Sequence, residues 1–322
     1  MISSLHKQII IISFIYAFLV MFGVYGFGTD YHNGYIPARF TAERNYGVFL
    51  TYFKFCNEDL GWIITTLHYK EIAIGLGFVS LLLAYSTGAL LLIESQLTKD
   101  KYTKYSYILF LHCWPILMFA TNVIRQGLVT AFIYLSIILY TYNFKKLSVG
   151  LILFTLFIHK IAFLFAPILL FSIIIIEVNK KLAINKVIFH VLNSLITILI
   201  ISLIYIFSIF VDQSSDSYVI GGDFTNIFLL INILYISYFL IKGSTLELIP
   251  LFLFYASIAF IPFFLFGYSW EYERLNMSII LLYIFYLSRD VMFLKVRNYL
   301  IFTSAILLVL ISYYQGIFAS LN

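Results

Sequence analysis

The sequence predicts an all-α polytopic membrane protein, and three observations lead to this class: composition, apolar runs of membrane-spanning length and an asymmetric charge distribution. Hydrophobic residues make up 62% of the 322 residues and charged residues only 11%, with a mean hydropathy of +1.00. Such a composition is that of a membrane protein and excludes a soluble domain. The net charge of +5 is not gathered into a basic patch, so we expect no nucleic acid among the partners.

The apolar runs divide the chain into about eleven membrane crossings, within a range of about nine to twelve, since one crossing needs about 20 apolar residues. The first run follows a basic start and lacks a small-residue cleavage site, so we expect an uncleaved span. We expect a single integral membrane domain over residues 1–322. The runs cover residues 8–27, 72–93, 105–121, 127–143, 147–158, 161–177, 187–211, 225–241, 248–267, 277–293 and 299–318.

Residues 147–177 are the ambiguous stretch, because they are too long for one span and short for two. Positive charge decides between the alternatives, since cytoplasmic loops carry the excess of Lys and Arg. Two segments place thirteen of these residues on one side and seven on the other, with the N-terminus cytoplasmic. We therefore predict two segments. The same topology makes residues 28–70 a long extracytoplasmic loop, in which 47–53 and 60–64 are expected to form interfacial or re-entrant pieces.

Two polar positions, Arg125 and His159, stand in a mainly apolar stretch. An ionisable group at membrane depth is costly and usually marks a site. The 20 residues from Arg125 to Lys145 correspond to about 30 Å of helix, whereas the 14 residues from Lys145 to His159 correspond to about 21 Å. If the two pieces are antiparallel helices, His159 stops about 10 Å below the level of Arg125. This geometry predicts the floor of a cavity that opens to one face of the membrane.

The residue types around the predicted cavity suit chemistry on a phosphorylated lipid. Arg125 and Arg274 can bind phosphate oxygens through their planar forks. His159 can donate a proton to a leaving-group oxygen, and a carboxylate such as Glu58 or Asp59 can deprotonate a sugar hydroxyl. Together these groups describe glycosyl transfer from a lipid pyrophosphate donor. We expect no metal, since arginines supply the positive charge and no cluster has metal-ligand spacing.

Each candidate residue also has a purely structural alternative. Arg125 could anchor its helix at the membrane interface, and His159 could be satisfied by a backbone carbonyl in a turn. Glu273 and Arg274 could form a local surface pair at the start of a span. Acidic residues in a solvated loop such as 28–70 are ordinary. From the residues alone, these alternatives stay open.

Two motifs resemble those of the EpsG-like branch of Wzy polysaccharide polymerases. They are Asn122-Val-Ile-Arg125-Gln126-Gly127 and, about thirty residues further on, Phe157-Ile-His159-Lys160-Ile-Ala162. That branch shows an Arg-Gln pair at the head of one helix and a Phe-x-His step after the next. Two further segments, Gly28-Thr-Asp30-Tyr31 and Asn57-Glu58-Asp59-Leu-Gly61, resemble motifs of the same family.

The resemblance continues near the C-terminus and has departures. Glu273-Arg274 before a late span is similar to the family's late arginine, although Ser278 replaces the aromatic residue usually found a turn later. Lys160-Ile161 stands where a small or hydroxyl residue is commoner. Asp59 stands where the family tends to have proline. These departures affect the details of the site more than the family assignment.

The resemblance implies a GT-C-like helical bundle with an outward-facing cavity in the bacterial cytoplasmic (inner) membrane. It implies a glycosyltransferase that joins undecaprenyl-pyrophosphate-linked oligosaccharide repeat units into O-antigen, capsule or exopolysaccharide. The implied partners are this lipid-linked oligosaccharide, membrane lipids, and the flippase and chain-length regulator of the same pathway, with no cofactor. The candidate catalytic residues are His159, Glu58 and Asp30, and the candidate pyrophosphate or sugar ligands are Arg125, Gln126, Arg274, Lys160, Tyr31, Arg39, Arg44 and Glu273.

Two other functions compete with the polymerase. A membrane O-acyltransferase acting on a surface glycan predicts acyl esters on the product and unchanged chain length when the gene is lost. A lipid-linked oligosaccharide flippase or other transporter favours charges deep in several central spans, with internal pseudo-symmetry. Here the charges concentrate at the outer boundary, which favours chemistry on a lipid head group.

Overall fold

The computed structural model describes the chain as helices joined by turns, over most but not all of its length. Within the described residues the chain is helical, which confirms the predicted all-α class. Among the residues that the structure describes, five helices are long and apolar enough to cross a membrane: Ser4–Met21, Ile74–Ile93, Ile124–Thr141, Ala162–Lys180 and Leu248–Leu265. The described residues are 4–28, 31–41, 43–45, 60–65, 67, 72–95, 101–182, 191, 194–195, 198, 202, 224–242, 247–265, 269–289 and 294–314.

The helices with defined bounds are numbered in chain order. They are α1 (Ser4–Met21), α2 (Leu60–Thr65), α3 (Ile74–Ser95), α4 (Lys101–Leu111), α5 (Trp114–Thr121), α6 (Ile124–Thr141), α7 (Lys145–Thr155), α8 (Ala162–Leu182), α9 (Thr225–Lys242), α10 (Leu248–Leu265), α11 (Ser269–Arg289) and α12 (Leu294–Tyr314). A π-helical stretch, Tyr31–Tyr35, lies between α1 and α2. Most of the predicted run 187–211 falls outside the described residues.

The chain separates into two compact units. The first comprises residues 1–163 and 284–322, and the second comprises residues 164–283. The predicted single membrane domain over residues 1–322 therefore stays a prediction.

Close packing of α1 and α3 forms part of the core of the first unit. Gly88 in α3 permits this approach, because a Cβ there would lie 2.7 Å from Ile9 Cγ2 and 2.9 Å from the ring of Tyr107. The Tyr107 hydroxyl lies 2.7 Å from Ser13 Oγ and donates to the Ala84 carbonyl at 3.0 Å. One phenol thus connects α4 with both α1 and α3.

The predicted run 105–121 is broken in the structure. Helix α4 ends at Leu111 and α5 begins at Trp114, so the run consists of two short helices. Pro115 lies in the first turn of α5, where a missing N–H costs no helical hydrogen bond. His112 fills the break, with Nδ1 2.8 Å from the Ile108 carbonyl and Nε2 2.9 Å from the Tyr25 hydroxyl.

The ambiguous stretch 147–177 contains two helices, as the charge argument predicts. Helix α7 ends at Thr155, residues 156–161 form turns, and α8 begins at Ala162. With 11 residues, α7 rises only about 16 Å, roughly half of the hydrocarbon core. Alone, α7 is therefore too short to span the hydrocarbon core.

In the second unit, a buried network of polar side chains joins α9, α10 and α11. Asn232 Nδ2 donates to the Tyr272 hydroxyl at 2.7 Å and to Asn276 Oδ1 at 2.9 Å. The Tyr283 hydroxyl donates to Asn232 Oδ1 at 2.8 Å and also contacts the Ser257 hydroxyl. All five side chains are buried. Polar atoms in so apolar a bundle need such partners, because no water is there to replace them.

Candidate functional site

The guanidinium of Arg125 lies against two aromatic rings. Arg125 is the second residue of α6, and its Cζ lies 4.3 Å from the ring centroid of Trp62 and 5.8 Å from that of Tyr35. The two rings meet edge to face, with centroids 5.3 Å apart. A cation over an aromatic face within about 6 Å is attracted by the ring quadrupole. Both rings belong to the predicted outer loop 28–70, so described parts of this loop reach Arg125.

Two glycines allow the chain to close around the turn that precedes Arg125. A Cβ at Gly127 would lie 2.5 Å from the Phe119 carbonyl oxygen, so the start of α6 packs directly on the α5 backbone. Gly28 N donates to the Thr121 carbonyl at 2.9 Å, and a Cβ at Gly28 would lie 2.5 Å from Asn122 Cβ. The outer loop therefore begins in contact with the α5–α6 turn.

The short helix α2 connects Arg125 with the turn that follows α7. The Leu60 backbone N–H donates to the Phe157 carbonyl at 2.8 Å, two residues before His159. Two residues after Leu60, Trp62 covers the Arg125 guanidinium. Because two residues extend at most about 7 Å, the His159 turn and the Arg125 side chain lie on either side of one short segment.

The hairpin of α6 and α7 sets the level at which the chain turns back. Asn143, with φ of 65°, lies in the turn between the two helices. Ser148 Oγ donates to the Ser136 carbonyl at 2.8 Å, which fixes the antiparallel register. On this register Thr155 is level with about residue 129, roughly 6 Å of helix short of Arg125. The end of α7 is thus recessed, and the depth of His159, four residues further on in the turn, stays a prediction.

His159 caps the start of α8. Its Nδ1 accepts the Ile161 N–H at 3.2 Å, and its carbonyl accepts the Ala162 N–H at 2.9 Å. Because Nδ1 is an acceptor, the neutral ring carries its proton on Nε2 and is a hydrogen-bond donor on that side. The ring is half-buried, whereas Lys160 beside it is exposed. This neutral tautomer suits a hydrogen-bond donor, whereas the predicted proton donor is an imidazolium, whose Nδ1 could not accept the Ile161 N–H.

The other predicted ligands of the first unit differ in exposure. Gln126 and Tyr31 are buried, Arg39 is half-buried and Arg44 is exposed. Burial raises the pKa of Tyr31 to about 12, although the nearby Arg39 acts to lower it. The Tyr31 phenol is therefore neutral near pH 7 and can donate a hydrogen bond but not act as a base. Arg39 Nε donates to Glu43 Oε1 at 2.7 Å, so part of its charge is already balanced.

In the second unit, Glu273 caps the start of α9. Its Oε1 accepts the Phe224 backbone N–H at 2.7 Å and the Thr225 hydroxyl at 3.1 Å, and the residue is 2% exposed. A carboxylate at a helix N-terminus is stabilised by the positive end of the helix dipole. The sequence indicates Arg274 as a partner for Glu273 and misses this contact. Arg274 is half-buried on the same helix, α11.

The predicted residues are only partly brought together. Arg125, Gln126 and the His159 turn lie in the first unit, whereas Arg274 belongs to the second. The predicted acids Asp30, Glu58 and Asp59 lie outside the described residues. Their roles stay predictions, as does the assignment of both arginines to one pyrophosphate.

The sequence reasoning does not identify Trp62 and Tyr35 as site residues. Both lie in segments with family resemblance or interfacial character, but 60 Tyr and Phe residues in the chain make one more aromatic uninformative. The usable signal is Arg125 itself, because an arginine near membrane depth needs a partner that can accept its charge.

Within the described residues, no group of three or more His, Cys, Asp or Glu side chains is arranged to hold a metal ion, and the expected metal independence stays a prediction.

Comparisons with known proteins add no family. No family model matches the chain, and neither curated proteins nor solved structures include a match. The resemblance to EpsG-like polymerases therefore depends on the sequence motifs alone.

Proposed function

We propose that the chain is a polymerase that joins lipid-linked oligosaccharide repeat units on the outer face of the bacterial cytoplasmic membrane. The observation that carries the proposal is the arrangement around Arg125. An arginine at the start of a membrane-length helix lies against a pair of contacting aromatic rings, next to a turn that presents His159. The family resemblance assigns Arg125 to the donor pyrophosphate and His159 to a catalytic or orienting role at the same site.

The charge around Arg125 favours an anionic ligand. The first turn of α6 contains no acidic residue, so the partial positive charge of the helix N-terminus adds to that of the guanidinium. The side chain of Lys160, beside His159, is exposed and adds a further positive charge to the neighbouring turn. A diphosphate has several oxygens that a planar guanidinium can bind in pairs. This supports a pyrophosphate as the group bound at Arg125.

The proposed reaction transfers the growing glycan to the incoming repeat unit. A hydroxyl of the incoming non-reducing sugar attacks the anomeric carbon of the growing chain, and the bond from that carbon to the pyrophosphate oxygen breaks. The hydroxyl proton passes to a carboxylate, for which Glu58 and Asp30 are the candidates. Undecaprenyl pyrophosphate leaves with the electron pair. Arg125 stabilises its developing charge, and His159 donates a hydrogen bond from Nε2 to it.

Glycan chain length tests the proposal directly. We expect deletion of the gene to reduce a ladder of polymer to single repeat units on a gel. Complementation with Arg125→Ala or His159→Ala should not restore the ladder, and Arg125→Lys should restore it poorly because a point charge cannot reproduce the fork. Lys146→Ala, an exposed residue at the far end of the α6–α7 hairpin, is the matched control and should restore it fully.

A ladder that survives deletion contradicts the polymerase. Loss of acyl esters from an otherwise normal polymer would then indicate the O-acyltransferase. Accumulation of lipid-linked units on the cytoplasmic side would indicate the flippase.

A further inference from the structure

We infer that Trp62 and Tyr35, whose rings meet edge to face on the same side of the Arg125 guanidinium, position it to receive a prenyl-linked diphosphate. This pair of rings is called the aromatic clamp below. The inference rests on the proposed function for the identity of the ligand. The clamp itself rests on the ring contacts at 4.3 and 5.8 Å. In this role the two aromatic residues act through Arg125, so they are positioning residues.

An aromatic ring and a phosphate use different parts of a guanidinium. The ring quadrupole attracts the cation through the ring face. The five N–H groups point outward in the guanidinium plane, which is the edge that binds carboxylates and phosphates in pairs. A guanidinium held by its charge against an indole therefore keeps its edge chemistry. Ordering this long side chain before the ligand arrives also lowers the entropic cost of binding.

The two rings come from opposite ends of the outer loop, and each is anchored separately. Tyr35 ends the π-helical stretch that follows Gly28, which is bonded to the Thr121 carbonyl beside the α5–α6 turn. Trp62 lies in α2, whose first residue, Leu60, is bonded to the turn after α7. The clamp therefore joins the turn that carries Arg125 to the turn that carries His159. A change at Trp62 is expected to alter ligand affinity at Arg125 before it alters the fold.

Fluorescence of Trp62 gives a readout that a purely structural role would not change. The chain has three tryptophans, so Trp114→Phe with Trp270→Phe leaves Trp62 as the sole reporter. We expect saturable changes in its emission when the full-length protein in nanodiscs is titrated with farnesyl pyrophosphate, and no saturable change with farnesol. Adding Arg125→Ala should remove the response. An unresponsive Trp62, or an equal response to farnesol, overturns the clamp.

Measuring the affinity for farnesyl pyrophosphate provides a second test of the clamp. Trp62→Ala should weaken farnesyl pyrophosphate binding by about threefold to thirtyfold, the range of a cation–π contact, and Trp62→Phe should restore most of it. Tyr140→Leu is the matched control, because it removes the 5.9 Å contact between Lys145 and a tyrosine ring at the other end of α6. It should leave binding unchanged. Unchanged affinity in folded Trp62→Ala overturns the clamp, and the reporter protein, which retains Trp62, tests it if Trp62→Ala does not fold.

Different experimental results contradict the clamp and the proposed function. If Trp62 responds to farnesyl pyrophosphate but deletion of the gene leaves the glycan ladder intact, the clamp stands and the polymerase is wrong. If deletion removes the ladder but Trp62→Ala binds and polymerises normally, the polymerase stands and the clamp is wrong.

Discussion

At the scale of single residues, buried contacts decide which polar groups can take part in chemistry. Arg125 and His159 can be singled out from the sequence because each interrupts an apolar stretch. Glu273 cannot be understood in this way, since the backbone N–H that it accepts belongs to Phe224, 49 residues earlier in the chain. Trp62 likewise meets Arg125 from a distant segment. Local patterns identify a costly residue but not the distant group that compensates for it.

Glu273 is expected to stabilise the second unit. Replacing it with Ala removes the acceptor for the Phe224 N–H and the Thr225 hydroxyl. Loss of a helix cap typically costs about 0.5–2 kcal/mol, and the buried donors left behind place this variant at the upper end. Thermal unfolding of the purified protein in detergent measures the loss, with Glu273→Gln expected to retain part of the stability.

The control is Glu43→Gln, which affects a partly exposed pair with Arg39 and should change stability little. Unchanged melting in Glu273→Ala with loss of ligand binding would instead favour the substrate role assigned from the sequence.

At the scale of helices, the length of an apolar run predicts the helix bounds well where charged residues flank the run. It predicts them poorly where a break lies within the run. The lysines at 145 and 146 and the polar pair at 159 and 160 bound α7, so two segments can be predicted in 147–177. In the run 105–121 the proline at 115 predicts a kink, and the structure has two helices there, with Pro115 in the first turn of the second. The hydrogen bonds of His112 with the Tyr25 hydroxyl and the Ile108 carbonyl stabilise the break between α4 and α5.

The polar network of α9, α10 and α11 makes Asn232 sensitive to substitution, because its side chain bonds to three others. Replacing Asn232 with Leu leaves the Tyr283 hydroxyl and Asn276 Oδ1 buried without their present partner. We expect the free energy of unfolding to fall by about 1–3 kcal/mol, because each polar group left without a partner carries a desolvation penalty. Interhelical hydrogen bonds in membranes often contribute less than about 1 kcal/mol each, which favours the lower part of this range. Unfolding in denaturant and detergent measures this loss.

Tyr235→Phe is the control for the network, because it removes the hydrogen bond that the Tyr235 hydroxyl donates to the Pro250 carbonyl. This substitution should lower the free energy of unfolding by no more than about 1 kcal/mol. Equal stability of Asn232→Leu and wild type would show that the network contributes nothing to holding the three helices together.

At the scale of the whole molecule, charge and aromatic residues predict which end of the α6–α7 hairpin faces the cytoplasm. Its tip carries exposed Tyr142, Phe144 and Lys146, and Lys145 lies 5.9 Å from the ring of Tyr140. Aromatic rings mixed with lysines are typical of a membrane interface, and lysines favour the cytoplasmic one. The sequence predicts this orientation from the count of thirteen positive residues against seven, without knowledge of any contact. The sequence also predicts Arg125 and His159 at the other end of the hairpin, and the contacts add Trp62 and Tyr35 to that end.

The orientation can be tested with single cysteines in a chain whose Cys56 and Cys113 have been replaced. Lys146 and Lys160 both have exposed side chains, one at the hairpin tip and the other beside His159. In intact cells with a permeable outer layer, Lys160→Cys should react with a membrane-impermeant maleimide. Lys146→Cys should react only after the cytoplasmic membrane is opened, because positive loops stay inside. Both proteins must be shown to react fully after solubilisation. The reverse labelling pattern would place the Arg125 arrangement at the cytoplasmic face, where polymerisation of exported repeat units cannot occur, and would therefore contradict the proposed function as well as the topology.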